Sequence, residues 1–518
     1  MVYKIKISCN HNDMGFKKPD KDPASVRWPQ YLAAIIGTIG GLCSGNHLGW
    51  TSPTLPSITK PNGNATSLLS SAHAQAAEHG QQLVTTAEAA WIASMLPLGA
   101  TLGSLLVALF LVESLGRKGC ILAMGALFTV SWLLIGLAQL TKYPAIMMYV
   151  GRFVGGLAAG GLTIVVPIYS EEVTVKEVRG RVGVFFDLSV NAGIVLSYVA
   201  GGLAPQPHPW LAWTCAALPL LHVALLCRMP ESPVFLLRRG RDEAALSSLR
   251  WLRYGHKEGD YDVSEEFDSL KAAICAEKKE IEQPPIYTIT TQTSVLDCEL
   301  TEDLKKRVRW ISAGIILGLM FFRPLSGINT VTFYSAPIFQ EAGSPLSPNN
   351  SSMIIGAVLL TSNTTASRLV DHVGRRALLL VSLGGIVISY TLLVAYFYLK
   401  TVYPDIELTA SWVPLLSLIL FVVSFSLGMG PLPWLIMAEL LPVENKKGSA
   451  LYVSLTWLLS FLITNFFSDA VDSVGSIPTY LFFLVANVLA IAFVVPFVPE
   501  TKGKSRETIT REIARIKN

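Results

Sequence analysis

Apolar runs of about 20 residues recur down most of the chain, separated by short polar breaks. A 20-residue helix rises ~30 Å, the thickness of a bilayer core, so each run reads as a membrane-crossing helix. Twelve are predicted, at 30–52, 90–112, 119–139, 145–168, 182–203, 210–228, 310–338, 352–370, 377–399, 412–438, 449–470 and 477–497. The fourth is interrupted by Gly151, Gly155, Gly156, Gly160 and Gly161. Small residues at this spacing let membrane helices approach closely, so a tightly packed span is expected there. Between the sixth and seventh runs lies a polar stretch, 229–308, in which 241–249 and 265–274 have helical spacing and 283–300 is rich in Pro and Thr. The expected fold is an all-α membrane protein of twelve transmembrane helices in two six-helix bundles, 30–228 and 309–498. A cytoplasmic helical linker, 229–308, joins them, and 1–29 and 499–518 are cytoplasmic tails.

Composition narrows the function. Of 518 residues, 51% are hydrophobic and 15% charged, against a usual ~25% charged, which excludes a disordered chain, a nucleic-acid binder and an ordinary soluble enzyme. The seven cysteines form no CxxC pair, so neither a disulfide framework nor a metal site is expected. The first apolar run ends in Trp50-Thr51-Ser52-Pro53, not at a small-residue cleavage site. Net charge, +4, says little, but its distribution sets orientation: with the N-terminus inside, 36 of the 41 Lys and Arg fall in cytoplasmic segments. Lys60, Lys142 and Lys400 fall outside, and Arg152 and Arg323 lie within spans. Sequons at Asn64, Asn349 and Asn350 then face the lumen during synthesis, whereas Asn363 sits in a span.

The two halves repeat. Glu113-Ser114-Leu115-Gly116-Arg117-Lys118 follows span two, and Asp371-His372-Val373-Gly374-Arg375-Arg376 follows span eight. Glu172 ends span four, seven residues before Arg179-Gly180, and Glu439 ends span ten, seven before Lys446-Lys447-Gly448. Pro230-Glu231-Ser232-Pro233 and Pro499-Glu500-Thr501-Lys502-Gly503 end spans six and twelve. Three pairs in matching places indicate a duplicated six-span unit. The charges Arg117, Glu172, Arg179, Glu231, Arg375, Arg376, Glu439 and Glu500 gather at the inner helix ends, where pairs could link the bundles as a cytoplasmic gate. Lys118, Lys176 and Lys447 read as topology signals. In span ten, Gly428, Gly430, Pro431 and Pro433 break the hydrogen-bond ladder, which marks a hinge with Trp434 on a cavity wall.

These motifs, with Pro167-Ile168-Tyr169, Arg179-Gly180-Arg181, Ser326-Gly327-Ile328-Asn329 and Gly430-Pro431-Leu432-Pro433-Trp434, resemble the sugar porter branch of the major facilitator superfamily. The likeness covers nearly everything after residue 28. Thr51-Ser52-Pro53 and Met95-Leu96-Pro97-Leu98-Gly99 look most like insect facilitated trehalose or hexose transporters. The resemblance implies alternating access around a central site, with Trp434 stacking on sugar and Asn329 a polar contact. Departures are several. Arg323-Pro324 replaces the usual Gln-Gln, Asp187 the span-five Gln, Leu359 a polar residue, and Thr456 and Ser460 an Asn pair; Val234 stands where an Arg usually follows the PESP motif. Asp187 and Arg323 are expected to pair across the cavity, because isolated charges at membrane depth are costly. His47 replaces the Asp of proton-coupled members, which favours uncoupled transport.

The function expected is facilitative transport of a hexose or trehalose at the plasma membrane, with no catalysis, no cofactor and no nucleic-acid partner. A carrier of another polar or charged solute and a transport-dead sugar sensor are the alternatives. Glycosidase should shift the mobility of the wild type but not of the Asn64→Gln/Asn349→Gln/Asn350→Gln variant; a shift that persists in the triple variant refutes these sites.

Overall fold

The computed structural model describes residues 28–59, 84–138, 140–203, 209–254, 263–282, 302–342, 346–403, 410–441, 446–504 and 506–515. It is almost wholly helical. The long helices are α1 Trp28–Gly49, α2 Thr86–Ser114, α3 Gly116–Ala138, α4 Pro144–Val173, α5 Phe185–Leu203 and α6 Pro209–Cys227. After the linker come α7 Lys306–Glu341, α8 Pro348–Val373, α9 Arg375–Val402, α10 Val413–Leu440, α11 Lys446–Val474 and α12 Ser476–Phe497. Among the described residues, ten are long and apolar enough to cross a membrane. The other two, α1 and α6, stand where the sequence places spans one and six. The apolar part of α6, Leu211–Cys227, is short, and α1 carries buried Gln30, Thr38, Ser44, Asn46 and His47.

The glycines of α4 do what their spacing implies. A Cβ on Gly156 would sit 2.1 Å from the Leu96 carbonyl oxygen, and one on Gly160 2.1 Å from that of Ala100. On the facing helix, Gly99 and Gly103 would likewise strike the backbone of Phe153 and Leu157 at 2.1 Å. Thus α2 and α4 touch backbone to backbone, a contact any side chain would abolish. Helices α2 and α11, and α5 and α8, pack across the boundary between the halves.

Both termini of the helical body, the linker and the repeated charges lie at one end, called here the basic end. The linker helices Asp242–Tyr254 and Ser264–Glu282 bear out the helical spacing read at 241–249 and 265–274. They are clamped by Arg253 on Glu266 (Nε–Oε2 2.9 Å), and Ser248 Oγ donates to the Glu231 carbonyl at 2.5 Å. The 283–301 connector lies outside the described residues, as does Asn64. Asn350 is exposed and Asn349 half-buried, both in the first turn of α8 and not in a free loop.

The starts of α3 and α9 are built alike. Glu231 accepts hydrogen bonds from the N–H groups of Arg117 (3.1 Å) and Lys118 (3.0 Å). Glu500 accepts from Arg375 (2.9 Å), Arg376 (3.1 Å) and Lys502 (3.0 Å). A carboxylate here satisfies orphan donors and the positive end of the helix dipole. Gly116 opens α3 at φ +84° and Gly374 precedes α9 at φ +105°; a Cβ on Gly374 would also meet Glu500 Oε2 at 2.9 Å. Burial alone would raise the Glu500 carboxyl, but the N–H groups of Lys502, Arg375, Arg376 and Thr501 hold it below its ordinary value. A depressed folded-state value contributes stability above the unfolded pKa, and this is lost as pH falls through the folded one. Glu500→Gln should therefore lower the melting temperature in detergent at pH 7, by an amount equivalent to ~1 kcal/mol. It should also flatten the part of the pH 5 to 2 decline that Glu500 contributes. Identical melting curves for the two proteins across that range would contradict the capping role.

Candidate functional site

At the basic end each half carries an internal ion pair. Arg117 grips Glu172 with two bonds, Nε–Oε2 at 2.8 Å and Nη2–Oε1 at 3.0 Å, and is 2% exposed. Ser232 Oγ also donates to Glu172. In the other half Arg375 Nε lies 3.5 Å from Glu439. Arg117 and Arg375 each donate Nη1 to the carbonyl one turn before their helix, Val112 and Val370, both at 3.3 Å. The expected gate charges thus meet within their own halves in this conformation, tying α3 to α4 and α9 to α10. Losing one partner of such a buried pair costs ~3–5 kcal/mol. Arg179 is exposed and, among the described residues, makes no ion pair. Lys118 is more than a topology signal, since its Nζ donates to the Cys227 carbonyl at the end of α6 (2.9 Å), as Arg376 does to Val495 at the end of α12 (2.6 Å).

The central residues come from α5, α7, α10 and α11. Helix α7 breaks between Glu302–Leu325 and Ile328–Glu341, with Gly327 at φ +92°. Helix α10 breaks between Val413–Leu427 and Leu432–Leu440, as the Gly-Pro cluster predicts. Arg323, just before the first break, places its guanidinium 5.1 Å from the Trp434 ring centre and 5.7 Å from that of Phe425. Its Nε approaches the Gly430 carbonyl at 3.4 Å. Just after the break, Asn329 Nδ2 donates to Ser460 Oγ at 2.6 Å, and Ser460 donates to the Thr456 carbonyl at 2.7 Å. Thr456 donates to Tyr452 O at 2.9 Å. Ser460 and Thr456 are each 2% exposed, so they position Asn329 more than they meet a solute.

Asp187, in the first turn of α5, is exposed. It forms no ion pair with Arg323, against the expectation from the sequence. The guanidinium turns instead to its own half, toward Trp434, Phe425 and the open α10 backbone. The structure thus brings Arg323 against Trp434 and joins Asn329 to Ser460 and Thr456, while Asp187, among the described residues, is bonded to none of them.

The opposite end is closed by hydroxyls that the sequence reading did not single out. A short helix, Thr51–Ile58, continues α1. Its Ser52 bonds Ser335 of α7 (2.7 Å) and Ser352 of α8 (3.3 Å), and accepts from the Ala336 N–H (3.1 Å). Ser52 and Ser335 are fully buried. Tyr198 of α5 donates to the Thr332 carbonyl (2.7 Å), and Ser94 of α2 to Asn465 of α11 (2.9 Å). All three links cross between the halves. Only the Thr51-Ser52-Pro53 motif hinted at this, because serine in an apolar run gives no signal of its partner.

Inside the N-terminal half, His47 stacks on Trp132 (4.0 Å between centres) and Phe128 (5.0 Å). Arg152, fully buried, donates to the His47 and Ile92 carbonyls, and its guanidinium lies 5.7 Å from the Trp50 ring centre. The ring and the guanidinium fill the place where the resemblance puts a carboxylate.

Comparison with known proteins identifies the scaffold. A family model described as "Sugar (and other) transporter" matches residues 33–513. Facilitated trehalose transporters Tret1 from Aedes aegypti and Culex quinquefasciatus are each 35% identical over 96% of this chain. The matched region spans 56% of the Aedes protein, a little over half its length, and 89% of the Culex protein. Among solved structures, a partially occluded inward open conformation of the xylose transporter XylE from E. coli superposes with a TM-score of 0.70 at 20% identity. That match covers 92% of this chain and 99% of XylE. The fold is that of the major facilitators, and the chain belongs to the sugar transporter family.

Proposed function

We propose that the chain is a facilitative carrier of a sugar, a hexose or trehalose, working by alternating access. The observation that carries this is the asymmetry of the molecule. One end is shut by buried hydroxyl bonds between the halves. Toward the other end Asp187 is exposed, and Arg323, Asn329 and Trp434 beside the broken helices are half-buried. Such a structure holds a central site open to one side only. The Tret1 relatives and the matching family model support sugar as the solute.

With the positive-inside rule, the basic end faces the cytoplasm, both termini are cytoplasmic and the membrane is the plasma membrane. Helices α1 and α6 complete twelve spans. Arg117–Glu172 and Arg375–Glu439 hold each half rigid at the cytoplasmic end, and the exposed Arg179 supplies a link to the other half once the halves rock together. Asn329, Asp187 and Arg323 contact the solute, and Trp434 forms the wall.

Transport is uncoupled from protons, because the site near α1 offers a stacked imidazole and no carboxylate. Uptake of radiolabelled glucose and trehalose into proteoliposomes should be saturable and show the same initial rate with and without an inward pH gradient. Solute-induced proton influx that disappears in His47→Ala would sink the uncoupled reading; no uptake of any sugar would sink the carrier reading. A neutral hydrogen bond contributes ~0.5–1.5 kcal/mol, and 1.4 kcal/mol is tenfold in an equilibrium. Ser52→Ala should therefore raise external labelling of a Ser351→Cys reporter, whose hydroxyl is buried outside the bonded cluster, by about two- to tenfold. Unchanged labelling would mean that the hydroxyl cluster does not hold the outside shut.

A further inference from the structure

We propose that this cavity also takes a sugar carboxylate, a hexuronate, bound through Arg323. The inference rests on the reading of the cavity as a sugar pathway and adds a class of solute to it.

Arg323 is held but not satisfied. Its guanidinium lies against Trp434 and Phe425, which fixes the orientation of the fork. Of its five N–H donors, only Nε has a protein acceptor among the described residues, the long 3.4 Å contact to Gly430 O. None of its nitrogens is buried without a partner, so the remaining donors are left to cavity water. An arginine with its fork oriented and its terminal donors hydrated is a receptor for a planar anion. Carboxylate matches it with two parallel bonds, stronger than any bond a sugar hydroxyl can make to the same donors.

The surroundings favour a sugar acid over a small carboxylate or a phosphate. Asn329 uses one amide proton on Ser460 and has its oxygen and second proton left for ring hydroxyls. Asp187 accepts from hydroxyls at the wetted end of the cavity. Its negative charge also opposes a dianion, so a phosphate ester, carrying about −1.5 to −2 at neutral pH, is disfavoured relative to a carboxylate of charge −1. The guanidinium meanwhile lies over the Trp434 ring, on the surface where the family resemblance would put a neutral sugar. A solute that engages the guanidinium itself regains what that stacking loses.

The test is uptake of radiolabelled D-glucuronate into proteoliposomes of the full chain, beside glucose and trehalose, with competition by glucuronate, its methyl ester and glucose 6-phosphate. Wild type should carry glucuronate saturably. Glucuronate should compete at least tenfold better than the uncharged ester or the phosphate. In Arg323→Gln the ratio of glucuronate to glucose uptake should fall by about ten- to a hundredfold, the worth of a charge-assisted fork. Arg323→Lys, which keeps charge but not the fork, should recover it only in part. The wild-type competition series decides the matter even if Arg323→Gln fails to fold. Neutral-sugar uptake with glucuronate neither carried nor competing overturns the inference and leaves the carrier reading intact. Equal competition by ester and acid, or by phosphate and acid, overturns it too. An absence of flux for every solute removes the carrier reading, and the inference falls with it.

Discussion

A backbone that crosses hydrocarbon has no water to turn to, so every N–H and C=O must find a partner inside the protein. Helix does this automatically, and each interruption needs a filler. In α7 the Ser326 carbonyl freed by the break accepts from the Tyr390 hydroxyl at 2.9 Å. That contact is so close that a Cβ on Gly327 would lie 2.0 Å from the same oxygen. In α10 the Met429 N–H is taken by Ser382 Oγ (3.0 Å) and the Gly430 N–H by the Phe425 carbonyl (2.8 Å). The Gly430 carbonyl is left for Arg323. Arg323 thus bridges the two interruptions, and this explains why it faces its own half and not Asp187. Its first obligation is to the opened backbone of α10, and the aromatic pair follows from that position.

The duplicated sequence gives duplicated chemistry at the basic end and different interiors behind it. Both halves use a carboxylate over a helix start, an Arg–Glu pair, and a basic side chain capping the last turn of the sixth helix of the unit. Behind these, the N-terminal half is drawn together by glycine-lined backbone contacts between α2 and α4. The C-terminal half is filled by rings, with Tyr390 against Phe483 at 5.7 Å and Phe421 at 5.4 Å, and Phe397 against Tyr480 at 5.5 Å. Backbone contact resists bending, whereas stacked rings can slide. Both broken helices, α7 and α10, belong to the ring-filled half.

Most of the fold was legible because long apolar runs, basic loops and repeated motifs are local signals. Helix α1 was read as a span although its buried polar residues dilute its hydropathy, and the α10 break was read from Gly428 to Pro433. The π-helical turn Val107–Leu111 in α2 was not legible, since nothing in Val-Ala-Leu-Phe-Leu forbids an ordinary helix. The site was legible in residue identity but not in pairing. Arg117 and Glu172, expected to link the two halves, meet within one of them. Asp187 and Arg323 form no ion pair, because the carbonyl and rings that claim Arg323 lie about a hundred residues away in sequence. The Ser52–Ser335–Ser352 cluster was invisible for a related reason: a serine is ordinary in a membrane helix until its partner across the interface is known.

Arg152 and His47 bear on what can drive such a carrier. A proton gradient biases a two-state protein only through a group whose charge changes between the states. Arg152 donates to the His47 and Ile92 carbonyls and lies against the face of Trp50. The neighbouring imidazole is stacked between Trp132 and Phe128, with Ser131 Oγ 3.4 Å from its Nε2. The imidazole has aromatic faces against it and makes no ion pair with a carboxylate among the described residues. In the uncoupled carrier proposed above, the balance between the two states rests on the neutral hydroxyl bonds between the halves, the ion pairs within each half, and whatever the solute adds.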